Sequence, residues 1–460
     1  MADIKSAVAE ATARLAEFVA VTQYEDIPVA VRERAKLVVA DTLGVTLLAS
    51  QEPEMQRLYS RLPAGKGAVL FRPGFPQADP ATAAFANATA TCFLELDEGI
   101  RPTAHPALHT LPVALALAQS LRRSGAEYLT AMILGYEVIS RIQWACRLRK
   151  PVHPHGNLGH PAAVASVGKL SRWSAEEIRQ GMNMSASLAS GTSFMACLAG
   201  ATVRNSFPGV TAQVAFTVKM LVESGFTGYD EALGETFGEI LAEDFNPEVL
   251  TRGLGERWYL LEGYSKFHAA CAQIHTVLDA VAEAVGAALH RGSYPPMPAP
   301  VRPRPEEIRE VRVRIAERSL RLAVQARPNQ LSAKFSFQYG VAAYLVRGNS
   351  GPESFKAEAI ADRRVWDLAT RVVVSGDPAL SARWPEEAAS EVEIELEDGR
   401  LLRGSCINPF GTPSNPATAE DLLAKFRYLT SGVLAESEQQ RFWRACLGLE
   451  TQADMSEFPF

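Results

Sequence analysis

Seven of the eight histidines in this chain fall into three short groups, His105/His109, His153/His155/His160 and His268/His275, and only His290 stands apart. Imidazole has the side-chain pKa nearest neutrality, so it commonly gives and takes protons in catalysis. The groups border loop-forming stretches, at Arg101-Pro-Thr-Ala-His-Pro106, Pro151-Val-His-Pro-His-Gly156 and Lys266-Phe-His268. Functional side chains concentrate on such loops, where they are exposed. An acidic run, Glu95-Leu-Asp97-Glu98, lies just ahead of His105. A neighbouring carboxylate fixes a histidine's tautomer and raises its pKa. Ordinary hydrogen-bonded histidines and a solvated helix end are the bland alternatives, and the pattern alone leaves them open.

A metallohydrolase site built on His153, His155 and His160 has suitable ligand types. However, H-E-x-x-H is absent, and His153 and His155 flank a proline. The six cysteines, at 92, 146, 197, 271, 406 and 446, form no C-x-x-C pair, so they are expected as free thiols without an iron–sulfur cluster. A G-x-G-x-x-G turn after a strand, a P-loop and G-x-S-x-G are also missing. No metal and no cofactor is expected.

The elements that must position these groups read as mainly α. Residues 28–50 carry apolar positions at helical spacing, with Pro28 placed to open the helix. Similar patterns cover about 81–94, 111–121, 126–144, 162–170 and 211–223, and Ser174 with Glu177 forms a capping box. Many of these segments are rich in alanine, glycine and serine, which lets helices approach closely. A helix over about 274–289 leads into a proline-rich stretch, 294–305, expected as a stiff linker. Val311, Val313 and Ile315 then alternate with arginines, and Val392, Ile394 and Leu396 with glutamates up to an Asp398-Gly399 turn. A helix over about 332–346 lies between these strands, and helices over 419–434 and 436–447 close the chain. The expected architecture is a large helical domain, 1–265 with 405–460, and a smaller α+β domain, 266–404, inserted before the C-terminal helices.

The 460 residues are 47% hydrophobic and 21% charged with a net charge of −6, a globular composition without the basic face that nucleic acid requires. No apolar run approaches a membrane span and no apolar signal core follows Met1. A cytoplasmic enzyme is expected.

These residues, in order, resemble the MmgE/PrpD family. The resemblance rests on Tyr24-Glu-Asp-Ile-Pro28, Ala40-Asp-Thr-Leu-Gly44, Leu94-Glu-Leu-Asp97 followed by His105-Pro106, and Gly135-Tyr-Glu-Val138 with Arg141. It continues through His153–Gly159, Arg204 with Pro208-Gly209, Gly225-Phe-Thr-Gly228, the Lys266…Cys271…His275 spacing, Ala333–Tyr339 and Asn415-Pro416…Lys425-Phe426. It implies a homodimer with its active site between domains and functional positions at Glu95, His105, His153, Arg204, Lys266 and Tyr339. Glu95 stands where the family commonly has Asp, Arg204 where it has Lys, and Gly99 where it has Thr. Arginine cannot share a proton near neutrality, so position 204 is limited to clamping a carboxylate.

The activity so implied is a cofactor-independent dehydratase acting on a small hydroxy-polycarboxylate of the citrate or methylcitrate type. His105 and His153 form its acid–base pair, Arg204 and Lys266 clamp the carboxylate, and Tyr339 relays a proton. Glu95 and Asp97 orient His105, and His275 joins the substrate-binding set. Epimerisation and decarboxylation share the same carbanion-like intermediate and remain alternatives. So does a non-catalytic carboxylate-binding protein.

Overall fold

The computed structural model describes residues 2–287, 292–295, 302–324 and 329–459, with side chains from residue 6. His290 and residues 296–301 of the expected linker lie outside them. The fold is mainly α. Its helical body contains Val29–Ala49, Pro80–Phe93, Pro106–Ser120, Gly125–Ala145, Gly159–Ser171, Ala175–Ser187 and Phe207–Glu223. Side-chain caps set several starts, the Ser174–Glu177 box as expected from the sequence. Ser174 accepts from Glu177 N while Glu177 returns the bond, and Asp79 accepts from Ala81 N and Thr82 N ahead of Pro80. Small residues permit the expected close packing: a Cβ on Gly135 would lie 2.8 Å from Thr110 Cγ2 and 2.9 Å from the Ala162 oxygen.

Four strands form one sheet in the order Val372–Gly376, Ile308–Ile315, Ser390–Leu396, Leu401–Cys406. The first pair is parallel and the rest antiparallel, with Val313 opposite both Val374 and Val392. The alternation expected from sequence is present: Val311, Val313, Ile315, Val392, Ile394 and Leu396 are buried, facing the Ala272–Ala284 helix. Arg312 pairs with Glu393 and Glu395 on the outer face. The last strand runs two residues past the expected 404 boundary. Helices Ala419–Thr430 and Glu436–Leu447 pack back on Val29–Ala49, where Lys425 and Asp41 form a buried ion pair of 2.8 Å.

Some boundaries differ from the sequence reading. The helix expected from 111 begins at Pro106 and carries Pro112 inside it. The 332–346 helix is two, Gln330–Ala333 and Phe337–Arg347, because the Ser336 side chain accepts from Tyr339 N and starts a new helix. Two short antiparallel pairings, the hairpin of Ala68–Val69 with Gln77–Ala78 and the long-range pair of Cys146–Leu148 with Ala242–Phe245, carried no sequence signal. Among the described residues no helix is long and apolar enough to cross a membrane.

Candidate active site

The candidate residues sit at helix ends, not on exposed loops. Glu95 follows the Pro80–Phe93 helix, His105 is the residue before Pro106–Ser120, and His153 and His155 precede Gly159–Ser171. Arg204 lies in a turn before Phe207–Glu223, and Lys266 precedes Ala272–Ala284. All but the half-buried His105 have buried side chains, correcting the expectation of exposure: His153 is 2% exposed, Arg204 2% and Lys266 0%. Glu95, His105, His153, His155, Arg204, Tyr264 and His275 line one cavity of about 100 Å³. Lys266 and Asp97 stand one layer behind its wall.

Glu95 ends its helix in the left-handed region, φ 55°, a conformation that glycine or asparagine usually supplies. Its carboxylate meets Arg204 Nη1 on one oxygen and Lys266 Nζ, at 3.2 Å, on the other. Lys266 also lies 3.3 Å from Asp97 Oδ1. Asp97 Oδ2 is 2.6 Å from His105 Nδ1, which also contacts the Glu98 carbonyl at 2.8 Å. Two acceptors on Nδ1 put the neutral ring's proton there and leave Nε2 as a basic lone pair toward the cavity.

Burial alone would raise the carboxyl pKa of Asp97, but Lys266 and His105 outweigh it and hold it well below the ordinary range. Burial likewise opposes ionisation of Glu95, but Arg204 and Lys266 outweigh it and its pKa is lowered. Burial would discharge Lys266, yet Asp97 and Glu95 keep its pKa above the ordinary lysine value. Lys266 is therefore a fixed charge here and not a proton shuttle.

The His155 backbone N–H donates to His153 Nδ1 at 3.0 Å. His153 Nε2 also contacts Arg204 Nε at 3.4 Å. A neutral imidazole carries one N–H and cannot accept at both nitrogens. The shorter bond decides: Nε2 holds the proton and faces a second donor across the longer gap. Burial first, then Arg204, keeps the His153 pKa well below its ordinary value. His153 is thus a neutral donor, and His105 is the base. His155 lines the same wall, with Nδ1 3.2 Å from Nε2 of His109; burial pushes His109 down to about 3. His275 Nε2 is 3.0 Å from the Ala270 carbonyl, so this donor is spent on the backbone.

Tyr339 is not part of this assembly. Its hydroxyl donates to the Ser354 carbonyl at 2.9 Å, and its ring packs on Phe355 and Trp366. The phenol at the site is Tyr264, 6.5 Å from His105 between ring centroids. Residues 99 and 264 exchange backbone hydrogen bonds of 3.1 and 2.7 Å. A Cβ on residue 99 would lie 2.5 Å from the Tyr264 hydroxyl and 2.7 Å from its Cζ. Gly99, a departure from the family pattern, is what admits this ring. Glu98, adjacent, accepts from Ala107 N at 2.6 Å and Tyr136 Oη at 2.8 Å, and burial pushes its pKa up to about 8.

Among the described residues no group of three or more His, Cys, Asp or Glu side chains could hold a metal ion. Cys271 lines the cavity, with its thiol pKa raised chiefly by burial.

Comparison with known proteins matches residues 13–246 to the MmgE/PrpD N-terminal domain and residues 268–451 to the MmgE/PrpD C-terminal domain. The cis-aconitate decarboxylase-like protein oryM of Aspergillus oryzae is 25% identical over 477 residues, spanning 97% of this chain and 96% of its own. Cis-aconitate decarboxylase of Aspergillus terreus is 25% identical over 462 residues, 94% and 91% of the two chains. That of Mus musculus is 26% identical over 449 residues, 92% and 87%.

Proposed function

Starting from a chain that belongs to the MmgE/PrpD family, we propose a cofactor-independent lyase that forms a carbanion-like intermediate on a small citrate- or aconitate-like polycarboxylate. The observation that carries this reading is His105, oriented through Nδ1 by Asp97 and offering Nε2 to a cavity walled by a buried guanidinium.

The reaction the geometry fits best is loss of water from a hydroxy acid. His105 Nε2 takes the proton alpha to a carboxylate, and the electron pair moves into that carboxylate. The field of Arg204 and Lys266, fixed in a low-dielectric site, stabilises the charge that develops. His153 Nε2–H donates to the same oxygen. The pair then closes the C=C bond as the C–O bond breaks, and the leaving oxygen takes its proton from the Tyr264 phenol. Tyr264 here fills the part expected of Tyr339. Decarboxylation is the second reading, favoured by the likeness to cis-aconitate decarboxylases: C–C cleavage releases CO₂ and an imidazolium at His105 protonates the carbon left behind.

Incubation with citrate, 2-methylcitrate and cis-aconitate, followed by NMR of the products, tests the reading. A new C=C acid from a hydroxy acid supports dehydration, and CO₂ release from cis-aconitate supports the second reading. Binding of these acids with no turnover of any would leave only a carboxylate-binding protein. Tyr264→Phe, which keeps the ring against Gly99, is expected to lower kcat by about 10²-fold as a lost general acid. Wild-type kcat in that variant would remove the phenol from the mechanism. A homodimer is proposed on family membership alone, and sedimentation velocity at micromolar concentration checks it.

A further inference from the structure

The two cations nearest the reacting end are already neutralised, Arg204 by Glu95 and Lys266 by Glu95 and Asp97. A substrate with two or three carboxylates brings more negative charge than this inner group can balance. The mouth of the same cavity supplies it. Arg101 and Arg321 line the cavity there, and Arg318 stands behind Trp384. Arg318 and Arg321 come from the turn Glu317–Leu322 that follows the Ile308–Ile315 strand. Arg101 comes from the loop leading into His105.

None of the three has a carboxylate partner among the described residues. Arg101 donates only to neutral acceptors, the Pro385 and Glu386 carbonyls at 3.1 and 2.9 Å and Asn408 Oδ1 at 2.6 Å. Arg318 lies 3.7 Å from the centre of the Trp384 ring, with Arg101 5.6 Å from the same ring. Arg321 lies 3.7 Å from the centre of Phe194. Aromatic faces hold guanidinium planes flat while leaving the N–H edges free to donate. The charges also oppose one another: burial first, then Arg321 and Arg101, push Arg318 down to about 10. Arg318 and Arg321 are exposed and Arg101 is half-buried, so solvent screens part of the repulsion among these unpaired guanidinium groups, and an anion bound at the mouth relieves more of it.

We propose that Arg321, which lines this mouth, binds the carboxylates of the substrate remote from the reacting carbon, with Arg101 beside it and Arg318 adding its charge from behind Trp384, so that this mouth selects small di- and tricarboxylates over monocarboxylates. The proposal rests on the polycarboxylate reading above. One charge-assisted hydrogen bond to a carboxylate corresponds to about tenfold to a hundredfold in affinity.

The test compares wild type with Arg318→Gln, Arg321→Gln and the double variant. Thermal shift is measured with citrate, with tricarballylate and with inorganic phosphate, and KM and kcat are measured on whichever acid turns over. The expected result is a citrate-dependent rise in Tm for wild type that needs at least about tenfold more citrate in the double variant. The loss in turnover should be carried by KM, and the ligand-free Tm should be unchanged or higher because repulsion has been removed. Equal citrate affinity in wild type and double variant overturns the proposal and leaves the function reading standing. So does a phosphate response equal to that of citrate, which marks a general anion site. Absence of both binding and turnover in wild type overturns the function reading, and this inference falls with it.

Discussion

Replacing His105 by alanine is expected to lower kcat by about 10²–10⁴-fold, the usual contribution of a positioned acid or base. The loss should appear in kcat and kcat/KM alike, because the proton moves only in the transition state. His105→Gln, which keeps a polar group in the space, should not restore it. Asp97→Asn should reproduce part of the defect by freeing the ring to adopt its other tautomer. His153→Ala should also cost activity, but through a lost hydrogen-bond donor, so its pH–rate profile should keep the wild-type shape. A tenfold or smaller loss for His105→Ala, with folding intact, would take this imidazole out of the chemistry.

The largest effect on stability is expected from Lys266→Met. The side chain is 0% exposed and touches two carboxylates that are themselves 2% exposed. Removing one partner of a buried ion network leaves uncompensated charge and costs about 3–5 kcal/mol. The pH dependence gives a second readout. In the wild type the Asp97 pKa is depressed below its unfolded value of 3.8. It therefore contributes stability fully above that value, and the contribution drains away as pH falls through the folded-state pKa. Without Lys266 the depression shrinks, so this contribution is smaller and its loss on the acid side should be shallower and complete at a higher pH. Denaturant titrations between about pH 3 and 7, the range spanning ordinary carboxylate ionisation, check both. A variant within about 1 kcal/mol of wild type, the cost of a solvated surface pair, would show that water reaches this network.

The sequence carried much of this site. The histidine groups were visible because imidazoles are scarce, so their clustering stands out, and Glu95 and Asp97 were visible through their closeness to His105. The strands were legible because Val311, Val313 and Ile315 alternate with arginines on a sheet with one buried face. What escaped has physical reasons. Tyr339 lies on a helix whose inward face is aromatic and aliphatic, and sequence order could not show that its hydroxyl is spent on Ser354. Tyr264 stayed hidden because its place depends on a missing Cβ at Gly99, 165 positions earlier in the numbering. Arg318 and Arg321 read as ordinary solvated charges, since nothing local says that their acidic partners are absent. The burial of the imidazoles also went against the loop reading: Pro- and Gly-bearing segments here turn inward between helix ends, so their side chains are enclosed by later parts of the chain.

The left-handed backbone at Glu95 sets durability and turnover against each other. A protein free of catalytic duty would put glycine at that helix end and apolar groups at 97, 204 and 266, since well-packed hydrophobic replacements for a whole buried ion network are often neutral or stabilising. Directed selection for heat survival alone would drift toward that fourfold exchange, whereas selection for product would forbid every step of it. Recovering both kinds of winner from one library would show which demand shaped this corner of the molecule.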